Sequence, residues 1–173
     1  EVVIVEDGST ESSEAIVQRF QQNLHISYYY KANSGPGDSR NFGMQKAKGN
    51  YFIILDSDCI LPKQYLSEVQ KELQTKFVHC FGGPDAADAS FTTVQKAINY
   101  VMTSFLTTGG IRGGKKSVGK FQPRSFNMGI SKEAFEKAGG FGQIHPGEDP
   151  DLTFRIWKAG FETRLFPKAF VYH

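Results

Sequence analysis

Three short acidic segments carry most of the chemistry available to this 173-residue sequence. In Ile53-Ile54-Leu55-Asp56-Ser57-Asp58, two carboxylates two positions apart close a hydrophobic run. If the backbone turns there, both converge on one ligand, and a hard divalent cation takes such oxygens together with substrate phosphates. The plainer alternative is a turn in which Asp58 caps the helix that follows Pro62. The segment Val5-Glu6-Asp7-Gly8-Ser9-Thr10 sets Asp7 where it can accept hydrogen bonds from a base or ribose, with Gly8 admitting close backbone approach. Asp7 or Ser9 serves equally well as a helix cap. The third segment is Gly147-Glu148-Asp149-Pro150-Asp151. Pro150 suits a first helical position and so makes Asp149 an N-cap; held near a bound hydroxyl, the same carboxylate would be a general base. Arg155 follows on that helix, where it either pairs with a carboxylate or is solvated.

The positive charges are placed differently. Asn33-Ser34-Gly35-Pro36-Gly37-Asp38-Ser39-Arg40-Asn41 is a turn-rich loop running into a helix, so its amides and Arg40 can face a phosphate or ribose. No Asp or Glu occurs between Asp88 and Glu133, while Lys96, Arg112, Lys115, Lys116, Lys120, Arg124 and Lys132 all fall there. Within it, glycines 109, 110, 113, 114 and 119 interrupt a basic loop that follows the stripe ending at Phe105 and runs to about Gln122. It is a solvated loop, or else a lid or surface for a phosphate-bearing acceptor or an anionic membrane. The totals of 20 basic and 18 acidic residues nearly cancel, so no nucleic-acid partner is expected. Cys59 and Cys80 are too few and too isolated for a disulfide framework or a zinc site of paired ligands, and reduced thiols in a cytoplasmic compartment are the simpler reading.

These residues need elements to hold them. The chain is long enough for one substantial core, and we expect a single domain over 1–173. Val2 to Val5, Ile26 to Tyr30, Tyr51 to Leu55 and Phe77 to Phe81 read as buried strands. Ile16, Val17, Phe20 and Leu24 recur at helical spacing behind the potential caps Ser9 and Thr10, and Leu66, Val69 and Leu73 follow Pro62. Phe91, Val94, Ile98, Val101, Met102 and Phe105 form a further apolar helical stripe. A strand over 126–130, helices over 132–138 and 150–159, and a strand over 170–172 complete an alternating α/β pattern with a mainly parallel sheet. In such sheets ligands bind beyond the carboxyl ends of the strands, where the acidic segments fall. Glu1 opens directly into a strand and His173 closes one, so a longer protein is expected.

Taken in order, Val5 to Ser9, Asn33 to Asn41, Leu55-Asp56-Ser57-Asp58, Phe126-Asn127-Met128-Gly129, Gly140-Phe141, Gly147 to Leu152 and Val171-Tyr172-His173 resemble the family 2 glycosyltransferases of GT-A fold. The resemblance implies a Rossmann-like nucleotide-binding sheet flanked by helices and an inverting, metal-dependent transfer of sugar from a nucleotide-sugar, a UDP-sugar first among them, to a glycan or lipid-linked acceptor. It implies that Asp7 binds the base or ribose with Gly8 and Arg40 nearby, and that Asp56 contacts the nucleotide. Asp58 would hold Mg²⁺ or Mn²⁺, His173 would approach that metal, and Asp149 would be the base. Glu148, Arg112, Arg124 and Asn127 are further candidates for acceptor or phosphate contacts. The family usually begins with an earlier strand that walls the nucleotide pocket, and this sequence starts after it. Two rival readings are a sugar nucleotidyltransferase and a silent nucleotide- or carbohydrate-binding module. The acidic Glu6 to Thr10 turn speaks against the first, and three separated acidic sites against the second.

Overall fold

The β-branched run at the start forms β1 (Val2–Asp7), which pairs in parallel with β2 (Ile26–Lys31) from Val2 opposite Ile26 to Asp7 opposite Lys31. The computed structural model that shows this describes residues 1–104, 120–144 and 146–173. The connecting helix α1 (Glu14–Phe20) is capped by neither Ser9 nor Thr10: it starts after Ser13, whose amide donates to Glu6 Oε2 at 2.8 Å. Of its expected stripe only Val17 is buried, while Ile16 and Phe20, and Leu24 beyond the helix, are at least half exposed. Helix α2 (Pro36–Lys46) then packs back on β1.

The main sheet has the order β3 (Tyr51–Leu55), β6 (Asn127–Ser131), β4 (Cys80–Gly82), β7 (Thr163–Leu165). Strand β6 runs antiparallel to both neighbours, whereas β4 and β7 are parallel. A short parallel pair, β5 (Asp85–Ala86) with β8 (Val171–Tyr172), stands beside it. Three of the five described pairings are therefore parallel, with one antiparallel strand set into the middle. The alternation of β3 decides which layer covers which face. Phe52 and Ile54 point into a cluster with Met44 of α2, Ala134 of α5 (Lys132–Ala138), and Leu152 and Ile156 of α6 (Glu148–Lys158). Tyr51, Ile53 and Leu55 point the other way, against Tyr65 and Val69 of α3 (Tyr65–Thr75), Phe166 and Val171.

Several bounds differ from expectation. The strand expected over 77–81 is only Cys80–Gly82: Phe77 is more than half exposed and meets Tyr51 edge-on. The buried stripe of α3 is Tyr65 and Val69, and Leu66 faces solvent. Helix α4 (Thr93–Thr103) buries no residue, and Val94, Ile98 and Val101 of its apolar stripe face outward. Phe105, like the glycine-rich basic loop, lies outside the described residues. Among the described residues no helix is long and apolar enough to cross a membrane.

Candidate functional site

Strands β1, β2 and β3 deliver their polar residues to their carboxyl ends. At the end of β1, both oxygens of Asp7 are occupied. Lys31 donates to Oδ1, as does the Ser34 amide at 3.0 Å, and the Gly35 amide donates to Oδ2 at 2.9 Å. Burial works to raise the Asp7 pKa, but these hydrogen bonds outweigh it and hold the carboxyl below its usual range. Gly8 sits at φ +72°, and a Cβ there would lie 2.8 Å from the Asn33 amide nitrogen, so the turn requires glycine. Asp7 and Gly8 thus fix the 33–35 loop against the strand end. Glu6 faces the other way, toward α1; hydrogen bonds from Tyr28 and the Ser13 amide lower its pKa.

Arg40, on the second turn of α2, joins two acidic segments. It donates from Nη2 to Asp56 Oδ1 at 2.8 Å, and its Nη1 lies 3.6 Å from Glu148 Oε1. Its guanidinium also lies over the Phe141 ring. That ring is held by a two-way clamp in which Asn41 Nδ2 donates to the Phe141 carbonyl and the Phe141 amide donates to Asn41 Oδ1, each at 2.8 Å. The side chain of Arg40 is only 15% exposed, so its charge acts in a low-dielectric setting on both carboxylates.

Asp149 is not the cap that Pro150 led us to expect. Helix α6 starts at Glu148 after Gly147, so Asp149 is its second residue, and no side chain caps the helix. The shift arises because Gly147 takes φ +122° and turns the chain in two residues earlier. Asp149 Oδ1 is buried without a hydrogen-bond partner among the described residues. A buried carboxylate oxygen without a donor is costly unless a ligand supplies one, and a bound hydroxyl would. Arg155, by contrast, is used structurally: it pairs with Asp151 at 2.6 Å and donates to the carbonyls of Ala138 and Gly140.

Asp58 and Asp56 part company. Asp56 turns to Arg40, while Asp58, 73% exposed, faces His173 Nε2 at 3.6 Å. His173 reaches it because Ile60 and Tyr172 exchange backbone hydrogen bonds of 2.9 and 3.0 Å, which draws the end of β8 against the turn after β3. The His173 ring stacks on Phe126, centroids 4.9 Å apart. Ligand atoms of Asp58, Cys59 and His173 lie within 4.8 Å of one another. A carboxylate, an imidazole and a thiol so placed fit a divalent cation, and the exposure of Asp58 leaves room for further oxygens. From the sequence Cys59 read as an isolated reduced thiol, too lone for a zinc site of paired ligands; its position beside Asp58 was the available signal. Burial pushes its thiol up to about 11, so without a metal it is protonated. Both cysteines are free.

Asn127 must be withdrawn as a phosphate or acceptor contact. It is fully buried, accepts from Tyr65 Oη at 2.6 Å and donates to the Ala169 carbonyl at 2.8 Å, tying α3 and the segment before β8 to β6. Arg124 has its Nε buried with no partner among the described residues, and Arg112 lies outside them.

A parallel βαβ entry and a mixed sheet ending in an Asp-x-Asp turn give this domain the architecture of the GT-A fold. Solved structures bear out the fold. The mannosyltransferase PcManGT from Pyrobaculum calidifontis, solved with GDP-Man and Mn²⁺, matches with a TM-score of 0.73 at 18% identity, covering 100% of this chain and 47% of that one. S. aureus TarS 1–349 with UDP-GlcNAc matches at 0.72 and 19%, covering 100% and 49%. In sequence, an uncharacterized glycosyltransferase of Rickettsia bellii is 37% identical over 78 residues, 45% of this chain and 11% of that protein. The chain thus spans about half the length of these solved chains and aligns with a small part of that relative. The chain belongs to glycosyl transferase family 2, whose model matches residues 1–139. Asp149 and His173 lie beyond that match but within the span covered by the structural likeness.

Proposed function

We propose that this chain is the catalytic domain of an enzyme that transfers a sugar, with inversion, from a nucleotide-sugar to an acceptor hydroxyl in glycan synthesis. The observation that carries the reading is Asp149 Oδ1, buried and without a partner among the described residues, one residue from the Glu148 that faces Arg40. Asp149 takes the proton of the acceptor hydroxyl as that oxygen attacks the anomeric carbon. The bond to the diphosphate breaks, and its electron pair leaves with the nucleoside diphosphate. Arg40, through Asp56 and Glu148, keeps nucleotide and base in one frame, so the attacking oxygen meets the sugar from a fixed direction.

Asp7, Gly8 and the 33–35 loop form the side of the pocket that takes base and ribose. Asp58 and His173 would hold Mg²⁺ or Mn²⁺, which supplies charge neutralisation to the departing diphosphate. Support for a nucleotide-sugar and a metal comes from the related structures: TarS carries UDP-GlcNAc, and PcManGT carries GDP-Man with Mn²⁺. A UDP-sugar is the first donor to try, because the S. aureus relative TarS, a poly(ribitol-phosphate) β-N-acetylglucosaminyltransferase 34% identical over 70 residues, was solved with UDP-GlcNAc. That relative also makes a phosphate-bearing glycan the first acceptor to try.

The test is Asp149→Asn, which keeps the shape of the side chain and removes the base. Donor binding, read as a thermal shift, is expected to persist while transfer falls by about 10²- to 10⁴-fold, the usual contribution of general-base assistance. Transfer at the wild-type rate would remove Asp149 from the role.

A further inference from the structure

We propose that Cys59 is a third protein ligand in the Asp58–His173 site, giving an oxygen, nitrogen and sulfur donor set that takes Zn²⁺ or Co²⁺ in competition with Mg²⁺ or Mn²⁺. The inference rests on reading Asp58 and His173 as metal ligands, and it adds what the backbone does to Cys59. Ile60 and Tyr172 form an antiparallel bridge. In antiparallel pairing the residue before one partner stands opposite the residue after the other, so Cys59 stands opposite His173. Directly opposed residues share a face, with Cβ atoms about 4.5–5.5 Å apart. The ligand atoms agree with this: Asp58 oxygen, Cys59 Sγ and His173 nitrogen are all within 4.8 Å of one another.

Phe126 positions two of the three in the metal-free protein. Its carbonyl accepts the Cys59 thiol at 3.4 Å, and its ring stacks on His173 at an interplanar angle of 12°. Zinc bonds of about 2.0–2.3 Å to N, O and S place neighbouring ligand atoms roughly 3.5 Å apart. Asp58 Oδ1 and His173 Nε2 already stand 3.6 Å apart, and Asp58, 73% exposed, has room to bring its carboxylate nearer to Cys59. A sulfur ligand shifts selectivity toward the softer ions. On coordination the S–H bond gives its proton to solvent and the sulfur pair goes to the metal. With three protein ligands a tetrahedral ion keeps one open position.

Cobalt(II) chloride titration reads the sulfur directly, because a thiolate on Co²⁺ gives a sulfur-to-metal charge-transfer band in the near ultraviolet. Wild-type protein is expected to develop that band to one equivalent. Cys59→Ser is expected to lose the band and to bind Zn²⁺ at least about tenfold more weakly, the lower end of what even outer-shell losses cost. No band in the wild type, or a band that survives in Cys59→Ser, overturns the proposal; Cys80 is wholly buried and cannot supply one from the surface. A measurement on wild-type protein needs no variant to fold: saturating Zn²⁺ is expected to protect Cys59 from iodoacetamide, read by mass spectrometry of its peptide. Equal alkylation with and without Zn²⁺ overturns it. Stabilisation by a nucleotide-sugar with Mn²⁺ but no cobalt–thiolate band sinks only the Cys59 ligand, whereas the band without nucleotide-sugar binding sinks only the donor reading.

Discussion

At the scale of single residues, the useful distinction is between carboxylates that are already satisfied and those that are not. Asp7 is satisfied three times over, by Lys31 and by the amides of Ser34 and Gly35. Because its folded pKa is lowered, its stabilisation is fully present above the ordinary carboxylate value of about 3.9. It is lost as the pH falls through the lower folded value. Asp7→Asn exchanges an acceptor oxygen for an N–H that faces donors, so it should cost about 1–3 kcal/mol near neutral pH. The gap to wild type should then narrow as urea unfolding is repeated down toward pH 3. A gap that stays constant with pH would mean that the charge contributes nothing. The sequence marked Asp7, Asp56 and Asp58 because strand-end position is a local property. It misread Asn127, whose partners Tyr65 and Ala169 lie far away in sequence, and it set the start of the Asp149 helix two residues late, because that helix begins where a glycine takes a positive φ.

At the scale of elements, local chemistry was legible where both ends of an element carry their own signals. Helix α5 occupies the expected 132–138 because Ser131 accepts the Ala134 amide at 3.1 Å and Gly139 closes the helix in the left-handed region. Strand β3 has the bounds read from Tyr51 to Leu55, and its two faces sort into two clusters. The stripes of α1 and α4 were legible as stripes, but periodicity names a face without naming what covers it, and both point largely outward. Strand β6 shows the opposite case, in which a neighbour dictates one residue. Gly129 stands opposite Phe81 in the ladder, and a Cβ at 129 would overlap the Phe81 ring, itself stacked on Phe166 with centroids 4.2 Å apart. Gly129→Ala should therefore destabilise by about 1–3 kcal/mol or more, as overpacking does. Pairing it with Phe81→Leu should recover part of that loss, so the two changes should be non-additive in urea unfolding. Additive losses would mean that the ring is not what excludes the methyl group.

At the scale of the whole molecule, the site is assembled from pieces that no local pattern links. Arg40 on α2 reaches Asp56 after β3 and Glu148 on α6, and the bridge from Ile60 to Tyr172 brings the chain's last residue to Asp58. Sequence order could place each piece on an element, but only tertiary pairing brings His173 beside Asp58, and what pointed to that pairing was the family resemblance of Val171-Tyr172-His173 and not periodicity or propensity. Because these contacts join separate elements, a ligand that engages several of them should stabilise the fold as a unit. Binding at a hundredfold excess over Kd adds about 2.7 kcal/mol to the folded state. For a domain of this size each kcal/mol moves Tm by about 2–4 °C, so a matching nucleotide-sugar with Mn²⁺ should raise Tm by about 5–10 °C. In a panel of UDP-, GDP- and dTDP-sugars, the shift should single out one nucleotide and should shrink when Mn²⁺ is withheld. Asp58→Asn should remove the Mn²⁺-dependent part and leave the ligand-free Tm close to wild type, since Asp58 is 73% exposed and its one ion pair among the described residues, to His173, spans 3.6 Å. A donor that stabilises the protein equally with and without Mn²⁺ would take the metal out of donor binding, and the role of Asp58 and His173 in the proposed reaction would go with it.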